Sequence, residues 1–305
     1  MADLILIDSF AHIYRGFYAL PPLTNSSGIL TNAIFAFSKT LLMIEKNFPS
    51  NYGAVIFDKG KSTKRLEISP EYKATRPPTP PDLLQQLPYI KEIAKAFGWK
   101  IIEFDNTEAD DIIASICQKF NEKKIYIVSN DKDLAQLVND NILMLVSSKD
   151  GGLSEMNKDG VFVKFAVYPE QIVDYLSLIG DNSDNIRGAS GIGPKTASKL
   201  LAEYRNIESL LSNISSIKSE KVKNSIISSA EQLKKNKTLI KLPISNTASN
   251  LQFDELKKEK ADFEKISEIC RKLELKSILQ EFEKNSHQRQ KEEKQTYTPD
   301  LFNSI

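Results

Sequence analysis

The chain has 305 residues, with 41 Lys and Arg against 40 Asp and Glu and a formal net charge of +1. This length accommodates one large domain and a smaller one. The two cysteines, Cys117 and Cys270, are too few for a disulfide framework and indicate a reducing cytoplasm. The longest aliphatic run is far below a membrane span and no secretion signal is evident, so we expect no membrane insertion.

The near-neutral total conceals a strong segregation of charge along the chain. Residues 59–100 carry nine basic against four acidic side chains, residues 101–185 seven against sixteen, and residues 186–245 eleven against four. An acidic centre flanked by basic segments is typical of proteins in which metal ions act on a polyanion that is bound from both sides. Solvated helix faces are the alternative explanation for many of the individual lysines.

Short apolar runs alternate with helical patterns over the first half of the chain. Strands are predicted at 3–8, in the runs that end on Asp58 and Asp131, at 99–104 and at 142–146. Helices are predicted at Ser9–Ala19, 31–47 and Asp82–Phe97, after Thr107 as N-cap, and at 133–138. The basic, proline-rich segment 59–82 cannot sustain a helix through its prolines. Such alternation of strands and helices predicts an α/β fold with a parallel sheet.

From about Pro169 the pattern becomes helical only. Helices are predicted at 169–179, 195–204, 207–212, 219–235 and 262–283. The polar segment 286–299, whose only apolar residue is Tyr297, is predicted to be disordered.

Three of the apolar runs end on an aspartate, namely Asp8, Asp58 and Asp131. The carboxyl ends of parallel strands meet at one edge of a sheet, so these carboxylates are expected together. Further acids at helix or turn starts bring the set to nine: Asp8, Asp58, Glu108, Asp110, Asp111, Asp131, Asp133, Asp181 and Asp184. Most of these acids alone could equally cap a helix or turn, but a capping role is less natural for Asp58, which precedes a Lys-Gly-Lys loop. Together they predict divalent metal, in the arrangement used for two-metal phosphodiester hydrolysis.

A second motif follows the last of these acids. Residues 190–197 read Ser-Gly-Ile-Gly-Pro-Lys-Thr-Ala and lead into a basic helix. Gly191 and Gly193 let the backbone approach a phosphate, and the helix N-terminus behind them offers free N–H groups. Lys195 and Thr196 can add a charge and a hydroxyl contact. An ordinary tight connection between helices is the alternative.

These motifs, in this order, resemble the 5′-nuclease domain of bacterial DNA polymerase I, within the flap endonuclease superfamily. The similarity covers residues 1–285 and includes 6–8, 55–58, 70–76, 108–111, 131–134, 180–185 and 191–196. It implies a PIN-like parallel-sheet nuclease core with a helical DNA-binding region built on a helix-hairpin (helix-3-turn-helix). It also implies a 5′→3′ exonuclease that cuts 5′ flaps near a duplex junction and leaves a 5′-phosphate.

The resemblance also implies roles for individual residues. Asp8, Asp58, Glu108 and Asp110 would hold a first Mg²⁺ or Mn²⁺. A second ion would be served, directly or through water, by Asp111, Asp131, Asp133, Asp181 and Asp184. Lys73 and Arg76 would contact the scissile phosphate and, with Asp110 and Asp181, form the catalytic set. Tyr72 would stack on a base. The further DNA contacts would be Arg15, Arg65, Gly191, Gly193, Lys195, Thr196 and Lys199, with K⁺ at the hairpin.

The predicted organisation has four parts: a catalytic core at 1–168, the helix-hairpin region at 169–250, helices packing on the core at 251–285, and a disordered tail at 286–305. The partners expected are DNA with 5′ flaps, nicks or gaps, and a DNA polymerase, in the cytoplasm at the nucleoid. Asp300-Leu301-Phe302 is similar to motifs that dock on the sliding clamp, a frayed terminus being the alternative. A non-catalytic binder of branched DNA and a PIN-like ribonuclease are the alternative functions.

Overall fold

The computed structural model describes residues 2–148, 150–243 and 247–296, with side chains through residue 286. The chain divides into two compact units. The first unit comprises residues 1–11, 50–79 and 100–258. The second comprises residues 12–49, 80–99 and 259–305. This grouping differs from the boundaries at 168, 250 and 285, which stay predictions.

The first unit is built around one six-stranded sheet. Its strands in chain order are β1 (Leu4–Asp8), β2 (Gly53–Ile56), β3 (Lys100–Ile102), β4 (Ile125–Val128), β5 (Ile142–Ser147) and β6 (Leu153–Met156). Their spatial order is β3-β2-β1-β4-β5-β6, with every pair parallel except β5 and β6. Strands β1, β2 and β4 are buried along their whole length, which explains why they are apolar runs without alternation. The predicted α/β fold with a mainly parallel sheet is confirmed.

The order of the strands brings the three aspartate-ended runs side by side. β1 lies between β2 and β4, with Asp8 opposite Ile56 and Ile7 opposite Val128. Consequently, the carboxyl ends of these three strands form one continuous edge of the sheet.

Helices and two short strands complete the described chain. The helices are α1 (Ser9–Ala19), α2 (Asn32–Asn47), α3 (Thr63–Ile68), α4 (Pro81–Leu84), α5 (Leu87–Ala96), α6 (Ala109–Lys119), α7 (Lys158–Phe165), α8 (Ile172–Ile179), α9 (Pro194–Tyr204), α10 (Ile207–Ser212), α11 (Glu220–Ile240), α12 (Phe263–Lys272) and α13 (Lys276–Thr296). Strands β7 (Gly180–Asp181) and β8 (Ile186–Arg187) pair antiparallel. Short 3₁₀ turns lie at Asp133–Leu137, Pro169–Gln171, Ile214–Ser216 and Phe253–Leu256. No helix of the described residues is long and apolar enough to cross a membrane.

Helix α6 starts differently from the prediction. Thr107 was expected as its N-cap, but the Thr107 hydroxyl donates to the carbonyl of Asp105 at 3.1 Å. Glu108 is the N-cap residue, and the first free N–H of the helix, that of Ala109, donates to Asp58 Oδ1 at 2.8 Å. The helix is therefore capped by a residue 51 positions earlier in the chain, which local sequence does not reveal.

Several other elements also differ from the sequence expectation. Helix α3 lies inside the basic segment 59–82, started by the Ser62 side chain, which accepts the N–H of Arg65. β6 and α7 were not predicted. The expected helix at 262–283 is two helices, interrupted where Glu274 adopts a φ of 58°.

The C-terminal segment is described only in part. Residues 286–296, expected to be disordered, continue helix α13. The sliding-clamp motif at 300–302 lies outside the described residues.

The β7–β8 ribbon depends on two glycines in close contact. A Cβ on Gly188 would lie 2.4 Å from the backbone of Ile179, and one on Gly180 would lie 2.5 Å from the Gly188 nitrogen. Gly180 also has a φ of 80°, which L side chains rarely adopt. This packing joins the end of α8 to the ribbon that carries Asp181.

Replacing Gly188 by alanine tests this packing. Because the clash is with backbone atoms, we expect Gly188→Ala to lower the free energy of unfolding by about 1–3 kcal/mol. Gly193→Ala is the matched control, since a Cβ there meets nothing within 4 Å, and its effect should stay under about 1 kcal/mol. Urea denaturation followed by circular dichroism measures both. Equal losses in the two variants would contradict the close packing.

Candidate active site

The site begins at the edge formed by β2, β1 and β4. Asp8 closes β1, whereas Asp58 and Asp131 lie just beyond β2 and β4. Asp8 Oδ2 accepts a hydrogen bond from Ser129 Oγ at 2.8 Å, which joins the ends of β1 and β4. The three aspartates therefore lie at one edge, as the sequence pattern predicts.

Helix α6 contributes its N-terminal turn to the same edge. The bond from Ala109 N–H to Asp58 holds this turn against the end of β2. Glu108 at the N-cap and Asp110 and Asp111 in the first turn are placed where the helix dipole favours negative charge. One helix turn thus supplies three of the nine predicted carboxylates.

Three further acids form a tight group. One carboxylate oxygen from each of Asp133, Asp181 and Asp184 lies within 4.8 Å of the other two. Among the residues that the structure describes, Asp133 Oδ1 is a buried atom with no hydrogen-bond partner. An unpaired buried carboxylate oxygen is costly. A divalent cation, which takes oxygen ligands, fits this group.

Crowding and burial shift several of these acids toward their neutral forms. Burial and the charges of Asp58 and Asp131 raise the pKa of Asp8 to about 7. Burial together with the charges of Asp131 and Asp8 raises the pKa of Asp110 well above its ordinary value. Burial and the charge of Asp131 do the same to the pKa of Asp133. The acids therefore destabilise one another's charged forms, and a bound cation would relieve this repulsion.

Protein cations offset part of this negative charge. Lys73 Nζ lies 2.7 Å from Glu108 Oε2 and 3.8 Å from Asp184 Oδ2. Arg76 Nη2 lies 2.6 Å from Asp184 Oδ1, and its Nε donates to the carbonyl of Ser183 at 3.0 Å. The two residues expected to contact a scissile phosphate are thus next to the carboxylates expected to bind metal.

The turn that carries these cations is tied to the acidic loop before β8. The N–H of Lys73 donates to the carbonyl of Asp184 at 3.0 Å, and Asn185 Nδ2 donates to the carbonyl of Glu71 at 2.8 Å. Lys73 and Asn185 have φ values of 54° and 57°, in the left-handed region that costs a non-glycine residue about 1 kcal/mol or more. The geometry of both segments is therefore imposed by their mutual contacts.

Asp181 has a different environment from the raised acids. Its Oδ1 accepts hydrogen bonds from Ser183 N at 3.0 Å and Ser183 Oγ at 2.5 Å, and Lys132 Nζ lies 3.0 Å away. Burial acts to raise the pKa of Asp181, but these contacts outweigh it and the pKa is lowered. Asp181 is therefore held in its ionised form, in contrast to Asp133, whose pKa is raised.

Arg65 and Asp111 form a buried pair that the sequence did not predict. Arg65 was expected to contact phosphate, but its side chain is only 3% exposed and pairs with both carboxylate oxygens of Asp111. Asp111, expected to serve a metal, is buried in this pair because a guanidinium and a carboxylate match each other in two hydrogen bonds. Tyr72, expected to stack on a base, is buried, with its hydroxyl 2.8 Å from Asp184 Oδ2 and 3.1 Å from Glu108 Oε2.

The hairpin residues lie at the surface, as a DNA contact requires. Gly191, with a φ of 73°, and Gly193, the N-cap of α9, are exposed, as are Lys195 and Lys199. Thr196 is half-buried in the first turn of α9. Arg15 is exposed on α1, in its part that belongs to the second unit.

Three site residues were missed from the sequence. Ser129 donates to Asp8 and accepts the N–H of Asp131, whereas Lys132 and Ser183 hold Asp181. All three lie between the predicted acids, so their proximity in sequence is the signal that could have found them.

Comparison with known families fits this geometry. A family model described as 5′-3′ exonuclease, N-terminal resolvase-like domain, matches residues 3–166. A second, described as 5′-3′ exonuclease, C-terminal SAM fold, matches residues 167–264. The chain belongs to the 5′-3′ exonuclease family.

Individual relatives agree with this assignment. The 5′-3′ exonuclease of Aquifex aeolicus is 38% identical over 286 residues, covering 93% of this chain and 96% of the relative. DNA polymerase I of Bacillus caldotenax is 35% identical over 293 residues, covering 94% of this chain but 33% of the polymerase. The chain thus spans about a third of such polymerases.

Solved structures show the same fold. Bacteriophage T5 5′-exonuclease with bound zinc gives a TM-score of 0.68 at 22% identity, covering 88% of this chain and 98% of the phage enzyme. The catalytic core of Rad2 in complex with DNA substrate gives 0.60 at 12% identity, covering 89% and 88%. The predicted family and fold are confirmed, and this 5′-3′ exonuclease family member is a nuclease that acts on phosphodiester bonds of DNA.

The unpaired carboxylate oxygen of Asp133 generates a test of metal binding. In EDTA, Asp133→Asn should raise the free energy of unfolding by about 1 kcal/mol, because it removes one like charge from a crowded site. With Mg²⁺ in large excess over its Kd, the wild type should gain about 3 kcal/mol and the variant clearly less. Denaturant unfolding with and without Mg²⁺ measures both effects.

Asp140→Asn is the control for this test, because Asp140 is an exposed acid paired with Lys158. With Mg²⁺, the free energy of unfolding of Asp140→Asn should increase by as much as that of the wild type. If Asp133→Asn also keeps the full gain, the group of three carboxylates is not a metal site.

Proposed function

We propose that the protein is a structure-specific 5′→3′ exonuclease and 5′-flap endonuclease that works with two divalent metal ions and leaves a 5′-phosphate. The observation that carries the proposal is the group of Asp133, Asp181 and Asp184, with an unpaired oxygen on Asp133, beside the acids at the ends of β1, β2 and β4. Carboxylates shared between two cations suit the hydrolysis of phosphodiesters.

By the family resemblance, the acids divide into two sets. Asp8, Asp58, Glu108 and Asp110 would hold one Mg²⁺ or Mn²⁺, and Asp131, Asp133, Asp181 and Asp184 the other. Asp111 is left out because Arg65 occupies both of its oxygens. The ions, when bound, supply a water of lowered pKa and stabilisation of the leaving oxygen.

The protein's own cations would bind and orient the substrate. Arg76, with 49% of its side chain exposed, and Lys73, with 18%, lie at the edge of the carboxylate site and can reach a phosphate brought to it. Both are charged at neutral pH, since neighbouring carboxylates raise the pKa of each despite burial. They would fix the scissile phosphate against the carboxylates and neutralise its charge.

The hairpin would hold the duplex part of the substrate. The positive end of the α9 dipole, with Lys195, Thr196 and Lys199, suits the DNA backbone, and exposed Gly191 and Gly193 permit close approach. By the family resemblance, K⁺ would bind hairpin carbonyls and Arg15 would contact a further phosphate.

The biological setting is proposed from the relatives. DNA polymerase I relatives carry a matching segment, which supports a role with a DNA polymerase in primer removal and repair. DNA as substrate would place the protein in the cytoplasm at the nucleoid. Docking on the sliding clamp through Asp300, Leu301 and Phe302 rests on the sequence motif.

Cleavage of a 5′-labelled flap duplex tests the chemistry. We expect Mg²⁺-dependent cutting that EDTA abolishes, and Asp110→Ala and Asp181→Ala should each slow it by at least about 100-fold, since each removes a metal ligand. Asp140→Asn should cut at the wild-type rate.

Three results would contradict the proposal. Undiminished cutting by both alanine variants would refute the site. Tight binding of branched DNA without cutting by the wild type would favour the non-catalytic binder. Faster cutting of an RNA strand than of DNA would favour the ribonuclease.

The salt dependence of duplex binding tests the hairpin. If Lys195 and Lys199 each neutralise one phosphate, Lys195→Met/Lys199→Met should reduce the slope of log K against log salt by about 1.8. Lys124→Met/Lys164→Met removes two exposed charges elsewhere and should leave the slope unchanged. Fluorescence anisotropy in Ca²⁺ measures the slopes, and equal slopes for the two double variants would exclude the hairpin contact.

A further inference from the structure

Arg65 differs from the other cations of the basic segment. Lys61 and Lys64 on either side of Ser62 and Thr63 are exposed, whereas the Arg65 side chain is only 3% exposed. Burying a guanidinium is expensive unless it is fully paired. The contacts of Arg65 therefore indicate what it does.

These contacts join three elements of the first unit. Arg65 Nη1 and Nη2 donate to the two carboxylate oxygens of Asp111, and Nη1 also lies 3.3 Å from Glu108 Oε2. Arg65 Nε donates to the carbonyl of Leu239 at 2.9 Å, near the end of α11. One side chain on α3 thus links the start of α6 to the end of α11.

The start of α6 carries two of the proposed metal ligands, Glu108 and Asp110. Asp58 holds this turn from the strand edge through the N–H of Ala109. Arg65 holds the same turn through Asp111, which directly follows Asp110 in the helix. Because successive helical residues point about 100° apart, anchoring Asp111 leaves Asp110 on a different face of the turn.

We propose that Arg65 is a positioning residue for the nuclease reaction: its guanidinium, bound to Asp111, Glu108 and the Leu239 carbonyl, fixes the first turn of α6 so that Glu108 and Asp110 can bind metal. The inference rests on the proposed function and deepens it. Arg65 contacts no phosphate, because its donors are directed at these three protein groups.

Four variants separate positioning from phosphate binding and from bulk stability. Arg65→Met removes the guanidinium, and Arg65→Lys keeps the charge without the two-bond pairing. Arg65→Met/Asp111→Leu replaces the buried pair by apolar side chains, which restores stability in many proteins. Lys61→Met removes an exposed charge from the same segment and is the control.

Positioning predicts a specific combination of results. Arg65→Met should lower Tm by roughly 5–10 °C, weaken Mn²⁺ binding measured by calorimetry without DNA at least tenfold, and lower kcat at least tenfold. For Arg65→Met, KM and the slope of log K for flap binding against log salt should match the values for Lys61→Met. Arg65→Lys should recover part of kcat. The double variant should recover Tm but neither Mn²⁺ affinity nor kcat.

Two results would overturn the inference. A salt slope that falls by about 0.9 with unchanged Mn²⁺ affinity would make Arg65 a phosphate contact. Recovery of Mn²⁺ affinity and kcat along with Tm in the double variant would make the pair merely structural. The Mn²⁺ measurement is independent of cutting, so a wild type that binds Mn²⁺ but does not cut would contradict the proposed function and not this inference.

Discussion

The structure depends on how it accommodates a crowd of carboxylates at the ends of β2, β1 and β4. Burial and mutual repulsion raise the pKa of Asp8, Asp110 and Asp133, so the folded chain keeps these acids together at a cost in free energy. The cations that offset this repulsion each pair with an acid from another segment of the chain. Lys73 and Arg76 come from the segment after β2, and Lys132 follows β4. The loops around the sheet edge are thereby fixed by the acids.

The same constraint links the metal site to substrate binding. Lys73 and Arg76 contact Glu108 and Asp184, which are proposed metal ligands. The two cations expected to face the scissile phosphate therefore already pair with carboxylates expected to hold the ions. Divalent ions would take over the neutralisation of Glu108 and Asp184, and a phosphate would then be the nearest anion for both cations. Substrate and metal sites so arranged cannot be altered independently.

The sequence predicted what local pattern and periodicity control. Buried parallel strands ending on aspartates, and glycines at a helix start, follow from short-range rules that the fold respects. What local sequence could not reveal depends on partners distant in the chain: Asp58 caps α6 across 51 positions, and Asp111 pairs with Arg65 across 46. Asp110 and Asp111 are indistinguishable in sequence, and only in the fold does the guanidinium of Arg65, from another helix, pair with Asp111. Segment 286–296 is helical without an apolar face, which hydrophobic periodicity cannot detect.

Exposure sorts the cations around the carboxylates into a series. The exposed fraction of the side chain rises from 3% for Arg65 through 18% for Lys73 and 34% for Lys132 to 49% for Arg76. A buried guanidinium with fixed partners cannot turn to a ligand without leaving carboxylates unpaired, which is strongly unfavourable. A half-exposed guanidinium loses little free energy when its partner changes, since water screens its charge. The gradient therefore separates the cation proposed to shape the site from those proposed to meet a substrate, although all of them are basic residues beside the same acids.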